Sequence, residues 1–148
     1  MKPVFTLLFL LPFLFQCNRT TYTSTTFPAD YLAFGEGGGY SGAINTYFLL
    51  PNGQIFQSKG LTADTLAYAQ MSKKSANQLI DRFNSLGLDT LNFDHPGNQY
   101  QFVEKHTQDK VLRLCMGDMQ TAAPAALSSF YQALSESLKA VVPETADQ

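Results

Sequence analysis

Three glycines with the spacing G-x-G-x-x-G, Gly37, Gly39 and Gly42, lie in the stretch FGEGGGYSG. In dinucleotide-binding folds this spacing places backbone N–H groups at the start of a helix, where they hold a pyrophosphate. Here the glycines lead into AINTYFLLPNGQIF, a strand–turn–strand pattern, and no Gly-Lys-Ser/Thr follows them. The sequence therefore predicts neither a dinucleotide site nor a P-loop, and it implies no cofactor.

Two roles remain for the glycines Gly37, Gly38 and Gly39. Consecutive glycines can form a backbone nest whose N–H groups bind an anion. They can also permit a bulge, a sharp bend or close backbone packing where a strand begins. Glu36 precedes the run and would repel an anion, so we favour the structural role.

The histidines are the other residues suited to catalysis or metal binding. His95 lies in FDHPGN between Asp94 and Asn98, whereas His106 lies in the polar stretch EKHTQD. An imidazole in such a turn can act as a general base or a metal ligand. No H-x-x-x-H or C-x-x-C spacing accompanies it, so we predict no metal site, assign no catalytic residue, and favour a turn role for His95. The alternative is a hydrolytic or metal-assisted enzyme centred on His95 and Asp94, which requires a concave pocket with a third polar group.

The elements that must position these residues follow from periodicity and turn chemistry. Alternating residues over 43–57, with Asn52-Gly53 between them, predict a β-hairpin. The spacing of apolar residues predicts a helix over 73–86, with Ser72 as its N-cap and Gly87 at its C-terminal end. The segment 66–71 fits either a short strand or a turn of helix.

The second half of the chain repeats this order. Residues 99–105 and 110–116 predict two strands joined by HTQD, and a second helix is predicted from Pro124 to a point before Pro143. Each helix has one apolar stripe. The expected fold class is α+β: an antiparallel sheet of two β-hairpins with two helices packed on one face, in the order ββ-α-ββ-α.

The N-terminus has the pattern of an export signal. Lys2 precedes a run of twelve residues, 4–15, that is apolar apart from Thr6 and is followed closely by Cys17; as a helix it would span roughly 18 Å, too short to cross a bilayer. The run LFQC resembles a bacterial lipoprotein signal, of a relaxed form found in Bacteroidota, in which Cys17 is the lipid attachment site. We expect a signal peptide at 1–16, a lipidated Cys and Thr-rich tether at 17–26, a single domain at 27–142 and a flexible tail at 143–148.

Charge and cysteine content narrow the functional classes. The chain has 10 Lys and Arg against 12 Asp and Glu, so loss of Lys2 with the signal would leave 9 against 12, a balance of −3. No basic stripe is present, and we therefore predict no nucleic-acid partner. With Cys17 lipidated, Cys115 is the remaining thiol, and its apolar neighbours predict a buried, unreactive side chain.

The paired motifs FGEGGG and HPGN, in this order around the hairpin and the first helix, resemble a family of uncharacterised Bacteroidota lipoproteins. The resemblance covers about 32–102 and rests on eight residues: Gly35, Gly37, Gly38, Gly39, His95, Pro96, Gly97 and Asn98. It implies no activity. It suggests a recognition surface formed by Gly37, Gly38, Gly39, His95 and Asn98, provided that both loops lie at the same end of the sheet.

We therefore expect a lipid-anchored envelope protein, held in the outer membrane and facing the periplasm. Its domain is expected to be a binding or structural accessory module with an envelope protein as a possible partner, rather than an enzyme. A further alternative is a protein inhibitor that presents its hairpin tips, which requires an exposed aromatic patch around Tyr40, Tyr47 or Phe56.

Overall fold

The structure, a computed structural model, describes residues 20–61 and 64–142. The signal peptide predicted at 1–16, the lipid attachment site Cys17 and the tail at 143–148 lie outside these residues. The described chain forms seven strands, two α-helices and one short 3-10 helix. Their bounds, in chain order, are β1 Tyr31–Gly38, β2 Ile44–Leu49, β3 Gln54–Gly60, β4 Thr65–Gln70, α1 Lys73–Ser85, the 3-10 helix Leu88–Thr90, β5 Asp94–His95, β6 Gln99–His106, β7 Val111–Met116 and α2 Ala125–Val141.

The strands form one sheet in the order β4-β3-β2-β1-β6-β7-β5, in which only β5 pairs in parallel. The α+β class and the two helices agree with the sequence prediction. The predicted sheet of two hairpins and the order ββ-α-ββ-α are wrong. Four strands precede α1 for two reasons: the glycine-containing segment 31–38 is itself a strand between the two hairpins, and the segment that fitted either a short strand or a turn of helix forms strand β4.

The predicted hairpins and helices are otherwise confirmed. In the first hairpin, Gly53 has a left-handed φ of 90° and donates its N–H to the Leu50 carbonyl at 2.9 Å. Ser72 caps α1, since its Oγ accepts the Ser75 N–H at 3.0 Å. Gly87 follows α1 with a φ of 69°, as a helix-ending glycine should.

Both helices pack on the same face of the sheet. The side chains that α1 and α2 bury, including Phe83 and Phe130, form one cluster with strand residues that share that face, including Leu32, Phe34 and Val103. The opposite face carries no helix among the described residues. Cys115 lies on it and is fully buried, which confirms the predicted packing role, and burial raises the pKa of its thiol.

The two ends of the sheet differ in what they present, and we name each after a residue in its loops. The Asn52 end comprises the β2–β3 turn, the β6–β7 turn and the start of α1. The Gly39 end comprises the β1–β2 turn, the start of β6 and the 117–124 loop after β7.

The segment that leads into β1 is attached to the Asn52 end. The backbone of Tyr22 exchanges two hydrogen bonds with the side chain of Gln54, at 2.7 and 3.1 Å, and Asn52 Nδ2 donates to the Thr20 carbonyl at 2.7 Å. Phe27 then packs on the uncovered face, with its ring centroid 5.1 Å from that of Phe56. Within 20–61 and 64–142, no helix is long and apolar enough to cross a membrane.

Candidate binding cleft

A row of polar side chains crosses the helix-bearing face of the sheet near the Gly39 end. Strand register places Glu36 of β1 opposite Asn45 of β2 and Gln101 of β6, and Asn45 opposite Lys59 of β3. Directly paired residues of antiparallel strands project from the same face. These four residues, which we call the polar row, therefore point to the side on which the helices lie.

The row is left uncovered because of the path of α2. Ser128, in the first turns of this helix, lies beside Met116 of β7, with Oγ 3.9 Å from the sulfur. Leu138 and Val142, at the other end of the helix, line a cavity with Tyr47 of β2 and Tyr68 of β4. Since α2 crosses from β7 towards β4, it leaves one side of the face open at the Gly39 end.

Two adjoining cavities occupy this open region. One, of about 640 Å³, lies between α2 and strands β1, β2, β4 and β6. The other, of about 1050 Å³, lies between the strand ends and the loop 117–123. Glu36, Gln101 and Met116 line both cavities, and all four residues of the polar row line the larger one; we call the two adjoining cavities together the cleft.

Hydrogen bonds hold part of the cleft floor in place. Asn45 Nδ2 donates to the Tyr47 hydroxyl at 3.0 Å, and Gln57 Nε2 donates to Asn45 Oδ1 at 2.9 Å and to the Tyr47 hydroxyl at 3.3 Å. The Tyr47 ring lies against Tyr68, with the centroids 5.3 Å apart. Amide and hydroxyl groups with fixed orientation are suited to directional hydrogen bonding, and the rings offer apolar surface beside them.

Tyr131 forms part of the opposite wall, on α2. Burial, followed by the negative charge of Glu36, raises the pKa of the Tyr131 hydroxyl to about 12, against the opposite effect of a hydrogen bond with Ser135. Like any tyrosine hydroxyl near neutral pH it is protonated, and the raised pKa extends this range to higher pH. The cleft thus combines neutral polar groups with charges of both signs: Glu36, Lys59, Asp118 and Lys139.

The structure brings the two sequence motifs together at the Gly39 end. Gly38 pairs with Gln99 in the β1–β6 ladder, and Gly39 donates its N–H to the Asn98 carbonyl at 2.6 Å. Gly38 has a φ of 94°, and a Cβ on it would overlap that same carbonyl oxygen. The glycines thus serve close backbone packing, within β1 and at its end, and Gly37 and Gly38 also line the larger cavity.

His95 lies nearby but outside the two cavities. Its carbonyl accepts the Asp118 N–H at 3.0 Å, and its ring centroid is 4.6 Å from that of Phe93. Hydrogen bonds from the Gln120 N–H and the Thr121 hydroxyl lower the pKa of Asp118. Asp94, the neighbour of His95 in the two-residue strand β5, likewise lines neither cavity. Among the described residues, no group of three or more His, Cys, Asp or Glu is placed to hold a metal ion.

The three aromatic residues expected of an inhibitor are in different settings. Tyr40 is fully exposed in the β1–β2 turn, Tyr47 is half-buried in the cleft, and Phe56 is buried under Phe27. Met119, in the loop after β7, is also fully exposed and lines the larger cavity. Tyr40 and Met119 therefore add exposed apolar surface on the loops beside the cleft.

Sequence reasoning missed the cleft residues Asn45, Gln101 and Tyr131. Each lies in an element that was predicted, but their proximity depends on β1, which was not. One feature of the sequence could have indicated the cleft. Three amide side chains, those of Asn45, Gln57 and Gln101, occupy strand positions on the face that elsewhere carries the apolar core.

No protein-family model matches the chain, and no curated protein sequence shows significant similarity to it.

Proposed function

We propose that this chain is a lipid-anchored cell-envelope protein whose domain is a binding module, with the cleft beside the polar row as its ligand site. The observation that supports the binding role is the arrangement of Glu36, Asn45 and Gln101. These three polar side chains stand in register on the core-bearing face of the sheet, at the place where α2 leaves that face open.

The chemistry of the cleft indicates the kind of ligand. The lining combines apolar surface with amide and hydroxyl groups such as those of Asn45, Gln101 and Tyr131, and the charges of Glu36 and Lys59 are opposite in sign. Such a lining matches a ligand that is rich in hydrogen-bonding groups and carries little net charge. It does not favour a polyanion.

The membrane anchor rests on the N-terminal sequence, where the apolar run ends at Cys17. Several acyl chains on one cysteine would anchor the protein firmly, since a single chain gives only marginal binding. Following the resemblance to Bacteroidota lipoproteins, we place the protein in the outer membrane, facing the periplasm.

Replacement of Cys17 tests the anchor directly. The Cys17→Ala variant should appear in the soluble fraction after cell breakage, whereas the wild-type chain should sediment with membranes and partition into detergent. Cys115→Ala is the matched control, because that thiol is buried, and it should leave membrane association unchanged. Membrane association of Cys17→Ala equal to that of the wild type would contradict the anchor.

Photo-crosslinking tests the cleft even while the ligand is unidentified. A p-benzoylphenylalanine at Gln101 should give an adduct in the cells that make the protein, and Glu36→Gln in the same chain should reduce its yield. The same probe at Gln78, an exposed glutamine of α1, is the matched control. Equal yields at the two positions, or no effect of Glu36→Gln, would contradict a ligand site in the cleft.

A second candidate is an envelope protein that binds over the Gly39 end. Tyr40 and Met119 favour it, because both are fully exposed large apolar side chains on loops beside the cleft mouth. Exposed aromatic and methionine side chains are enriched where proteins bind one another. Tyr40→Ser should then abolish partner capture, while the adduct at Gln101 remains.

A further inference from the structure

We infer that the Asn52 end of the sheet faces the membrane surface and that the cleft at the Gly39 end points away from it. This inference rests on the proposed lipid anchor at Cys17. It concerns a surface and a partner that the cleft does not involve, namely the lipid headgroups beneath the domain.

The argument starts from how little chain separates the anchor from the folded domain. Thr20 is already bound to Asn52, at the tip of the β2–β3 turn, through the 2.7 Å hydrogen bond to its carbonyl. Cys17 precedes Thr20 by three residues, which reach at most roughly 11 Å when fully extended. A lipid on Cys17 would therefore be attached within roughly 11 Å of Thr20, beside the tip of this turn.

The attachment of this segment to the domain is built from several contacts. Besides Asn52, the side chain of Gln54 exchanges two hydrogen bonds with the backbone of Tyr22. Thr23 and Thr26 close a turn, with the Thr26 N–H donating to the Thr23 carbonyl at 3.1 Å. Phe27 then packs against three rings at centroid distances of 5.1 to 5.4 Å: Tyr31, Phe48 and Phe56. A free ten-residue tether would instead have a mean span of about 18 Å and impose no orientation.

Charge at the Asn52 end has the sign that suits a bilayer with anionic lipids. Lys73 and Lys74 lie exposed at the start of α1, and Lys110 lies exposed in the β6–β7 turn. Asp30 and Asp109 lie near the same end and offset part of this charge. The short chain reach therefore sets the orientation, and the lysines add a smaller, salt-dependent attraction.

Fluorescence quenching measures the orientation. The lipidated protein is placed in vesicles of phosphatidylethanolamine and phosphatidylglycerol that contain a headgroup nitroxide lipid. A fluorophore is attached at Gln108→Cys, in the β6–β7 turn, or at Tyr40→Cys, in the β1–β2 turn; the native Cys115 is buried. These turns lie at opposite ends of an eight-residue central strand, roughly 26 Å apart.

We expect quenching at Gln108→Cys to be several times that at Tyr40→Cys. The Gln54→Ala variant, which removes both hydrogen bonds to Tyr22, should reduce this ratio while the protein stays bound to the vesicles. Equal quenching at the two positions in vesicle-bound protein would overturn the orientation and leave the anchor intact. Failure of the purified chain to float with the vesicles would overturn the anchor itself, and the orientation with it.

Discussion

Strand β1 shows two environments on a single face of the sheet. Leu32, Phe34 and Glu36 alternate along it and project to the same side, yet the first two are 0 and 3 % exposed, whereas Glu36 is exposed. The strand and its pairing partners continue unchanged across all three positions. The difference lies above the strand, where the helices cover the first two residues and α2 leaves the third open.

This comparison teaches that the helices, rather than the sheet, determine where the core ends and the cleft begins. On this face, the covered strand positions include Leu32, Phe34 and Val103, whereas the open positions include the four residues of the polar row. Apolar side chains therefore lie where a helix covers the sheet, and polar side chains lie where the sheet is open to solvent. We expect substitutions in the covered region to change stability and those in the open region to change binding.

The largest loss of stability should follow truncation of a buried side chain in the covered region. Leu32→Ala should lower the free energy of unfolding by about 2–5 kcal/mol, because it leaves a cavity in a fully buried site. Glu36 lies four residues further along the same face of β1. Glu36→Ala should change the free energy of unfolding by no more than about 0.5 kcal/mol. Urea denaturation of both variants measures the contrast. Similar losses in the two variants would show that Glu36 belongs to the core.

An intermediate loss of stability should come from substitution of Gly35, which lies between Phe34 and Glu36. A side chain at this position would project to the opposite face of the sheet. A Cβ at this position would overlap the Asn45 carbonyl oxygen and lie 3.1 Å from the Thr46 Cα, and backbone cannot move aside as a side chain can. We expect Gly35→Ala to cost about 3 kcal/mol.

Gly42→Ala provides the control, since Gly42 has a φ of 64° but open space around it. It should cost about 1 kcal/mol, from backbone strain alone. Thermal denaturation of both variants separates the two causes. An equal loss would mean that close packing at β1 contributes nothing beyond local strain.

The smallest expected effect on stability comes from Tyr131, in the wall of the cleft, and is seen only at high pH. The pKa of Tyr131 is raised to about 12 in the folded chain, above a value of about 10 for an unfolded tyrosine. A raised folded-state pKa contributes stability that is present below pH 10 and is lost as the pH rises through about 12. Stability should therefore fall more steeply over this range in the wild type than in Tyr131→Phe.

Glu36→Gln sharpens the same measurement. Burial is the main cause of the raised Tyr131 pKa, and the charge of Glu36 is the second. In Glu36→Gln, stability should therefore fall only slightly less steeply with pH than in the wild type. Tyr31, whose pKa burial also raises, contributes equally to all three chains and cancels in the comparison. Identical pH profiles for wild type and Tyr131→Phe would contradict the buried setting of this hydroxyl.

The sequence by itself determined the local elements. Asn52-Gly53 specified a turn, Ser72 and Gly87 set the limits of α1, and the apolar stripe of α2 placed Phe130 and Leu134 in the core. These features depend on contacts within a few residues, so pattern and turn chemistry were sufficient to predict them.

Only the tertiary structure decided that the glycine segment is the central strand and that a cleft forms beside it. The stretch YLAFGEGG has no β-branched residue, and its three glycines leave no clear alternation to read. Its strand conformation comes from pairing with β2 on one side and β6, over sixty residues away in the chain, on the other. The polar row exists for the same reason: cross-strand neighbours are set by register between distant segments, and no local pattern carries that information.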